Sequence, residues 1–355
     1  MQLDRTHVVI RLRSLSEIGD LAMAMLRRYP MAMLVGFAGG ALPWALANAA
    51  LLYWIPIREA GYGLDDEEAL GEVWRYVIWM ALLVMLQTPA AGVLTTIYLG
   101  QAVFEQRPTW KAVVAEAKRQ FRGWFRVLAV RRLAVPTMIV LAFRIGQPAS
   151  VLWDAFLPII ILLALMTIRG SRPFVPEILL LEQCPLKAPS QSAKPSQLAK
   201  PSQSPITMSV RSRVLHTPMA GDLGGRFLSA GFIFAGLTLC VLYTLMAIRG
   251  VLFLKWNFLD LVVLLLLYPL ALWTVAGVSV LVRLLGYLDT RIRLEGWEVE
   301  LAVRAEAMRQ FGEDMTPSGQ GAAARLPNQG EPASVATLRR GVEAATVTPV
   351  SNGVH

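Results

Sequence analysis

The densest group of ionisable residues is acidic. Glu59, Asp65, Asp66, Glu67, Glu68 and Glu72 crowd residues 56–75, with only Arg58 and Arg75 for balance, a net −4. Clustered carboxylates can hold a divalent cation through their oxygens. The spacing here is not that of an EF-hand loop, and the stretch reads instead as a solvated loop. The three histidines, His7, His216 and His355, lie far apart with no ligand-like neighbours, so no metal is expected. Cys184 and Cys240 make no framework and read as two unpaired thiols. No Walker A, HExxH, GxSxG or paired-cysteine motif occurs. Ion-coupled transporters and proton pumps need an ionisable group deep in the bilayer. Arg144, Asp154 and Asp260 instead fall near the ends of apolar blocks, where reaching water is cheap. No catalytic residue, cofactor or enzymatic activity is expected.

The basic residues are patterned for another task. Between positions 104 and 132 there are eight bases against Glu105 and Glu116, net +6. Trp110, Val113, Val114, Ala117, Phe121, Trp124, Phe125 and Leu128 recur at three- and four-residue steps. Lys111, Lys118, Arg119, Arg122 and Arg126 fill much of the remainder. Such a helix, 107–132, can lie on an anionic leaflet with its aromatics in the interface, or dock against the protein's own helices, or do both. Near the C-terminus, Arg291 and Arg293 follow an apolar run. They are expected to face phospholipid headgroups or to pair with Glu177 or Glu182.

The elements that position these residues follow from composition. The chain is 55% hydrophobic and only 17% charged, where soluble domains average about 25% charged. The apolar residues lie in blocks of bilayer-spanning length, about 20 residues as helix. Six spans are predicted, at 31–55, 76–99, 133–149, 151–168, 227–248 and 258–285. The third is weak, so 133–168 either crosses twice or forms a re-entrant hairpin. Pro43, Pro89, Pro158 and Pro269 interrupt four spans. Broken helices can line a substrate site, but prolines also serve ordinary packing in spans, which is the reading favoured here. Gly36 and Gly40 stand at the GxxxG spacing of close helix approach.

Before the first span, Ser14 and Glu17 form a predicted capping box. Leu15, Ile18, Leu21, Ala22, Met25 and Leu26 then share a face, so residues 1–30 carry an amphipathic helix on the cytoplasmic surface. Residues 186–204 hold a repeat, with Pro-Ser-Gln recurring after Ala188, Lys194 and Lys200, and read as a disordered insertion. The membrane domain is placed at 31–311 and a disordered tail at 312–355, with a surface helix expected over 291–311. The basic stretches, +6 and +5, belong inside and the acidic loop outside. Both termini are then cytoplasmic.

The run from Ser14 through Leu15, Glu17, Ile18 and Asp20 to Tyr29, together with Pro176 to Glu182 and the closing set Tyr287, Asp289, Arg291, Arg293, Glu295 and Gly296, resembles a known group. These are bacterial six-span membrane proteins similar to the membrane domain found beside some glycerophosphodiester phosphodiesterases. The resemblance covers about residues 14–305. It implies an all-α polytopic fold in the bacterial cytoplasmic membrane and no catalytic residues, since the phosphodiesterase domain is absent. The expected function is envelope organisation or membrane-protein interaction, the alternative a transporter or lipid-handling permease. Expected partners are anionic lipid and other membrane proteins or a second copy, not nucleic acid.

Overall fold

The computed structural model describes residues 14–60, 67–103, 108–144, 147, 150, 152–186, 206–257 and 259–295. Asp65 and Asp66, the repeat and the tail from 296 onward lie outside these residues. The described residues contain helices and no strand, and the fold is all-α and polytopic. Five helical stretches are long and apolar enough to cross a membrane. The predicted third span is the exception, a shorter helix.

The chain opens with α1 (Leu15–Arg28). The Ser14 Oγ accepts from the Glu17 N–H, and Glu17 returns the bond to the Ser14 N–H at 2.8 Å. This capping box fixes the start of the helix. Ile18, Ala22 and Met25 bury the expected face. A π-turn (Ala32–Phe37) leads into α2 (Ala38–Leu52), then α3 (Trp54–Glu59). Next come α4 (Glu67–Ala91), α5 (Val93–Ala102), α6 (Trp110–Arg119), α7 (Phe121–Trp124) and a second π-turn (Phe125–Val130). Then follow α8 (Ala134–Arg144), a third π-turn (Leu152–Phe156), α9 (Leu157–Ser171) and α10 (Val175–Leu181). The chain finishes with α11 (Met208–His216), α12 (Ala220–Phe253), a last π-turn (Val263–Leu267) and α13 (Tyr268–Glu295).

The hub is α4. Tyr76, Trp79, Leu83, Leu86 and Gln87 are fully buried on it. Contacts fix the direction of each neighbour. Asn48 meets Gln87 and Gly36 meets Thr95, so α2 runs against α4. Met138 meets Gln87 and the Arg144 carbonyl meets Arg75, so α8 also runs against it. Asp154 meets Trp79 while Arg169 meets Met85, so α9 runs with α4. Leu264 meets Tyr76 and Gly92 meets Val280, so α13 runs with it too. Arg226 meets Asp289 and Arg249 meets Asp260, which sets α12 antiparallel to α13. Six helical segments thus alternate in direction, five of spanning length plus α8.

Two glycines show why α2 lies so close to α4. A Cβ at Gly40 would stand 2.1 Å from the Ala91 carbonyl oxygen, and one at Gly36 would stand 3.0 Å from the Thr95 hydroxyl. The GxxxG spacing therefore serves packing. By contrast α12 is almost all surface, with only 6% of its most apolar window buried. Phe232, Ile233, Leu239 and Tyr243 face outward from it, as suits a helix bathed in hydrocarbon.

Candidate functional site

The polar side chains inside the bundle form three layers. Arg75 and Thr95 are 20 residues apart on α4 and its continuation, about 30 Å at 1.5 Å per residue, which matches the hydrocarbon thickness of a bilayer.

At the Arg75 level, Asp154 accepts three hydrogen bonds and forms an ion pair with Arg75. Its Oδ1 takes the Trp79 indole N–H at 3.0 Å and stands 3.1 Å from Arg75 Nε. Its Oδ2 takes Arg144 at 3.2 Å and the Ser150 N–H at 2.8 Å. Arg75 also donates to Glu72 at 3.1 Å and to the carbonyls of Gln147 and Arg144. These groups tie the α8–α9 hairpin to α4. Arg144, Asp154 and Asp260 do sit at span ends, as expected, but Asp154 is not turned to water. Asp154 is 7% exposed and is paired inside the bundle, and Asp260 pairs with Arg249. Glu59 and Glu72 are not solvated either. Both are buried, Glu59 against Arg58 and Glu72 against Arg75.

Two prolines organise the backbone caps, Pro89 in the middle layer and Pro269 near the Tyr76 level beside the Arg75 layer. Pro89 has no N–H for the Met85 carbonyl four residues back. Arg169 supplies the missing donor: its Nη1 reaches Met85 O at 2.6 Å and its Nη2 reaches Leu86 O at 2.8 Å. Pro269 likewise orphans Leu265 O, and the π-turn before it orphans Leu264 O. The Tyr53 hydroxyl donates to Leu265 O at 2.6 Å and the Tyr76 hydroxyl to Leu264 O at 2.7 Å. Asn48 and Gln87 satisfy each other's amides at 2.8 and 2.7 Å. The Thr274 hydroxyl returns to its own backbone at Leu270.

Arg169 overturns an expectation. Its Cα lies 15 residues past Asp154, about 22 Å along the helix, near the end of α9. Helical side chains lean toward the N-terminus, so the guanidinium folds back to the Met85 level, roughly halfway between the Arg75 and Thr95 levels. The bundle therefore does carry an arginine at mid-depth. Sequence position alone put it in a basic loop.

The third layer lies at the Thr95 level. Glu177 has no exposed surface and takes Arg283 Nε at 2.6 Å. Arg132 Nη2 caps the Arg172 carbonyl at 2.7 Å. Burial first, and then the positive charge of Arg283, hold Arg132 down at about 10, partly offset by Glu177. It stays protonated at neutral pH. Just beyond, Glu182 takes Arg211 at 2.5 and 2.9 Å and the Tyr287 hydroxyl at 2.6 Å. Arg211 also pairs with Glu295. The His216 Nδ1–H donates to Ser212 O at 2.6 Å and its Nε2 accepts the Phe174 N–H at 3.2 Å, which fixes one neutral tautomer.

The sequence-predicted residues distribute over this layer and beside it. Arg291 reaches Glu295 at 2.7 Å and stands 3.8 Å from Glu182. Arg293 pairs with Asp289 at 2.9 Å rather than with Glu177 or Glu182, and Glu177 pairs with Arg283 instead. The run from Tyr287 is not left in water: Tyr287 is 1% and Asp289 2% exposed, because α13 continues into the layer as far as Glu295. Of the expected surface helix over 291–311, the part beyond Glu295 lies outside the described residues.

The stretch 107–132 is not one helix. Gln120 leaves helical geometry at φ −91°, ψ 5°, and Leu133 turns the chain at φ 67°. Trp110 does not face outward. It stacks on Tyr98 at 4.6 Å between ring centroids. Val113 and Ala117 dock on the bundle, while Lys111, Lys118, Arg119, Phe121, Arg122 and Arg126 stay exposed. Arg119 pairs with Glu116 at 2.7 Å, and the Trp124 indole donates to Ala117 O at 2.9 Å.

No protein family, curated protein or solved structure matches this chain. Chemistry must therefore be read from the layers themselves. Among the described residues no three His, Cys, Asp or Glu side chains group to hold a metal. The carboxylates Glu177, Glu182 and Asp154 are each committed to cations. Cys184, beside Glu182, has its thiol pushed up by burial first and by that carboxylate second. The arrangement is built to join helices, and its apolar helices mark a membrane-embedded protein.

Proposed function

We propose that this is a non-catalytic integral membrane protein of a bacterial cytoplasmic membrane, working in envelope organisation through anionic lipid and neighbouring membrane proteins. One observation supports this reading above others: the amides and proline-orphaned carbonyls inside the spans are satisfied by partners within the bundle, although the Thr96 hydroxyl and the Trp273 indole N–H are buried without one. Asn48 and Gln87 pair reciprocally, and the carbonyls orphaned by Pro89 and Pro269 are capped by Arg169, Tyr53 and Tyr76. A permease would need such groups turned toward a water-filled path. The most outward-facing elements include α12 and the exposed bases of α6 and α7. On this reading the likeness to the phosphodiesterase-associated membrane domain extends to architecture and not to hydrolysis.

The test is site-specific photo-crosslinking in intact cells at Phe232 and Tyr243 of α12. Discrete protein adducts, either a second copy or one recurring membrane protein, are expected. Adducts to lipid alone at both positions sink the interaction reading. Orientation is tested with single cysteines replacing Asp66 and Ser196. The first should label only from outside and the second only from the cytoplasm, with both termini inside.

A further inference from the structure

A lateral groove of about 330 Å³ runs between the last turns of α9 and the first turns of α12. Met166, Gly170 and Ser171 line it from α9, and Ala220, Gly224 and Leu228 from α12. Phe227 forms its floor, 3.6 Å from where a Cβ on Gly170 would stand. A Cβ on Gly224 would meet nothing within 4 Å. The groove is thus room that the protein's own packing leaves open. Its lining is mostly apolar, which suits a length of acyl chain better than a headgroup. The hydroxyls at its edge are not free to recognise anything polar: Thr167 donates to Ala164 O and Ser171 to Thr167 O. Its interior selects for hydrocarbon.

Charge decides which lipid. Ser171 is the last groove-lining residue on α9, and Arg172 follows it in the chain, exposed and in no ion pair among the described residues. Behind Arg172, Arg132 caps its carbonyl, and Arg283 is paired with the carboxylate of Glu177. On the α12 side, Arg226 is committed to Asp222 at 3.0 Å and Asp289 at 3.2 Å, so that edge is close to neutral. A phosphate at the mouth would therefore meet an excess of positive charge from α9 and the layer beneath it.

We propose that this groove seats one anionic phospholipid, its chain against Gly170 and Gly224 and its phosphate on Arg172. The inference rests on the reading of the protein as one that works through its lipid surroundings. It adds a defined site where that reading has only a surface.

The test is native mass spectrometry of the full-length protein in mild detergent, titrated with phosphatidylglycerol or phosphatidylcholine. The wild type should retain one phosphatidylglycerol selectively. Arg172→Gln should weaken retention about tenfold, the factor expected for one charge-assisted hydrogen bond. Gly224→Leu should do the same by filling the groove, with no backbone penalty since leucine suits a helix better than glycine. Gly221→Leu, equally unobstructed but off the groove, should retain the lipid and shows that a leucine in this turn is tolerated. Equal retention by wild type, R172Q and G224L overturns the site, as does equal retention of phosphatidylcholine. Displacement by glycerol phosphate alone would also overturn it, because the groove would then contribute nothing. Loss of α12 cross-links with lipid retention intact would remove the partner reading and leave this one standing.

Discussion

Replacing Arg169 by Gln probes the middle layer most directly. The substitution removes two bonds, to Met85 O and Leu86 O. Leu86 O keeps the Ala90 N–H within α4, but Met85 O has no helical donor because residue 89 is proline. Interhelical hydrogen bonds in membranes average about 0.6 kcal/mol and reach about 1.7, and charged donors lie at the upper end. The substitution should therefore cost about 1–3 kcal/mol. That number alone does not isolate the cause, because any lost buried arginine destabilises. Pro89→Ala supplies the control, since it restores an N–H to Met85 O and makes the guanidinium redundant there. In a double-mutant cycle the loss on R169Q should shrink in the P89A background, with a coupling of about 1 kcal/mol or more. The assay is reversible unfolding in mixed micelles, followed by helical signal. Additivity within about 0.3 kcal/mol would refute the argument that Arg169 is there for the proline.

Asp154→Asn should cost about 3–5 kcal/mol in the same assay, because it leaves Arg75 and Arg144 buried without their shared carboxylate; a loss under about 1 kcal/mol would mean water already reaches that layer. Gly40→Ala should separate α2 from α4 or unfold the bundle, given the 2.1 Å approach to Ala91 O, whereas Gly39→Ala meets nothing within 4 Å and should be neutral to stabilising; equal effects would deny the close packing. Tyr76→Phe should cost about 1 kcal/mol by uncapping Leu264 O, and an unchanged midpoint would show that the carbonyl finds another donor. Cys184, its thiol raised by burial and by Glu182, should react with maleimide at pH 7.5 more slowly than a free cysteine; a rate at or above the free-thiol rate contradicts the geometry.

Features written in local sequence were legible. The apolar blocks, the Ser14–Glu17 box and the Gly36–Gly40 spacing each depend on neighbours a few residues away. The choice of polar partners was not. Tyr53 finds Leu265 across 212 residues, Arg283 finds Glu177 across 106, and Arg169 finds Met85 across 84. Nothing in the periodicity of one helix says which carbonyl another will need capped. One signal was available: a proline inside a span orphans a carbonyl by covalent structure, and each such carbonyl demands a donor from elsewhere. The basic stretch misled for a related reason. Its periodicity suits a single helix, but docking Trp110, Val113 and Ala117 onto the bundle breaks it at Gln120.

The shortness of α8 has a consequence for the membrane itself. The eleven-residue helix Ala134–Arg144 is about 16 Å long, beside neighbours that bridge about 30 Å. Ile139 and Phe143 face outward from it, Phe143 at 79% exposed, so lipid is in direct contact with the short side. Hydrophobic mismatch of this kind is relieved by thinning of the adjacent bilayer. The flank at α8 is therefore expected to thin the adjacent bilayer, to the extent that Arg132 and Arg144 do not bridge the mismatch by reaching to the surface. A membrane that is already thin resists that thinning least, and the protein should partition toward such regions before it meets any partner.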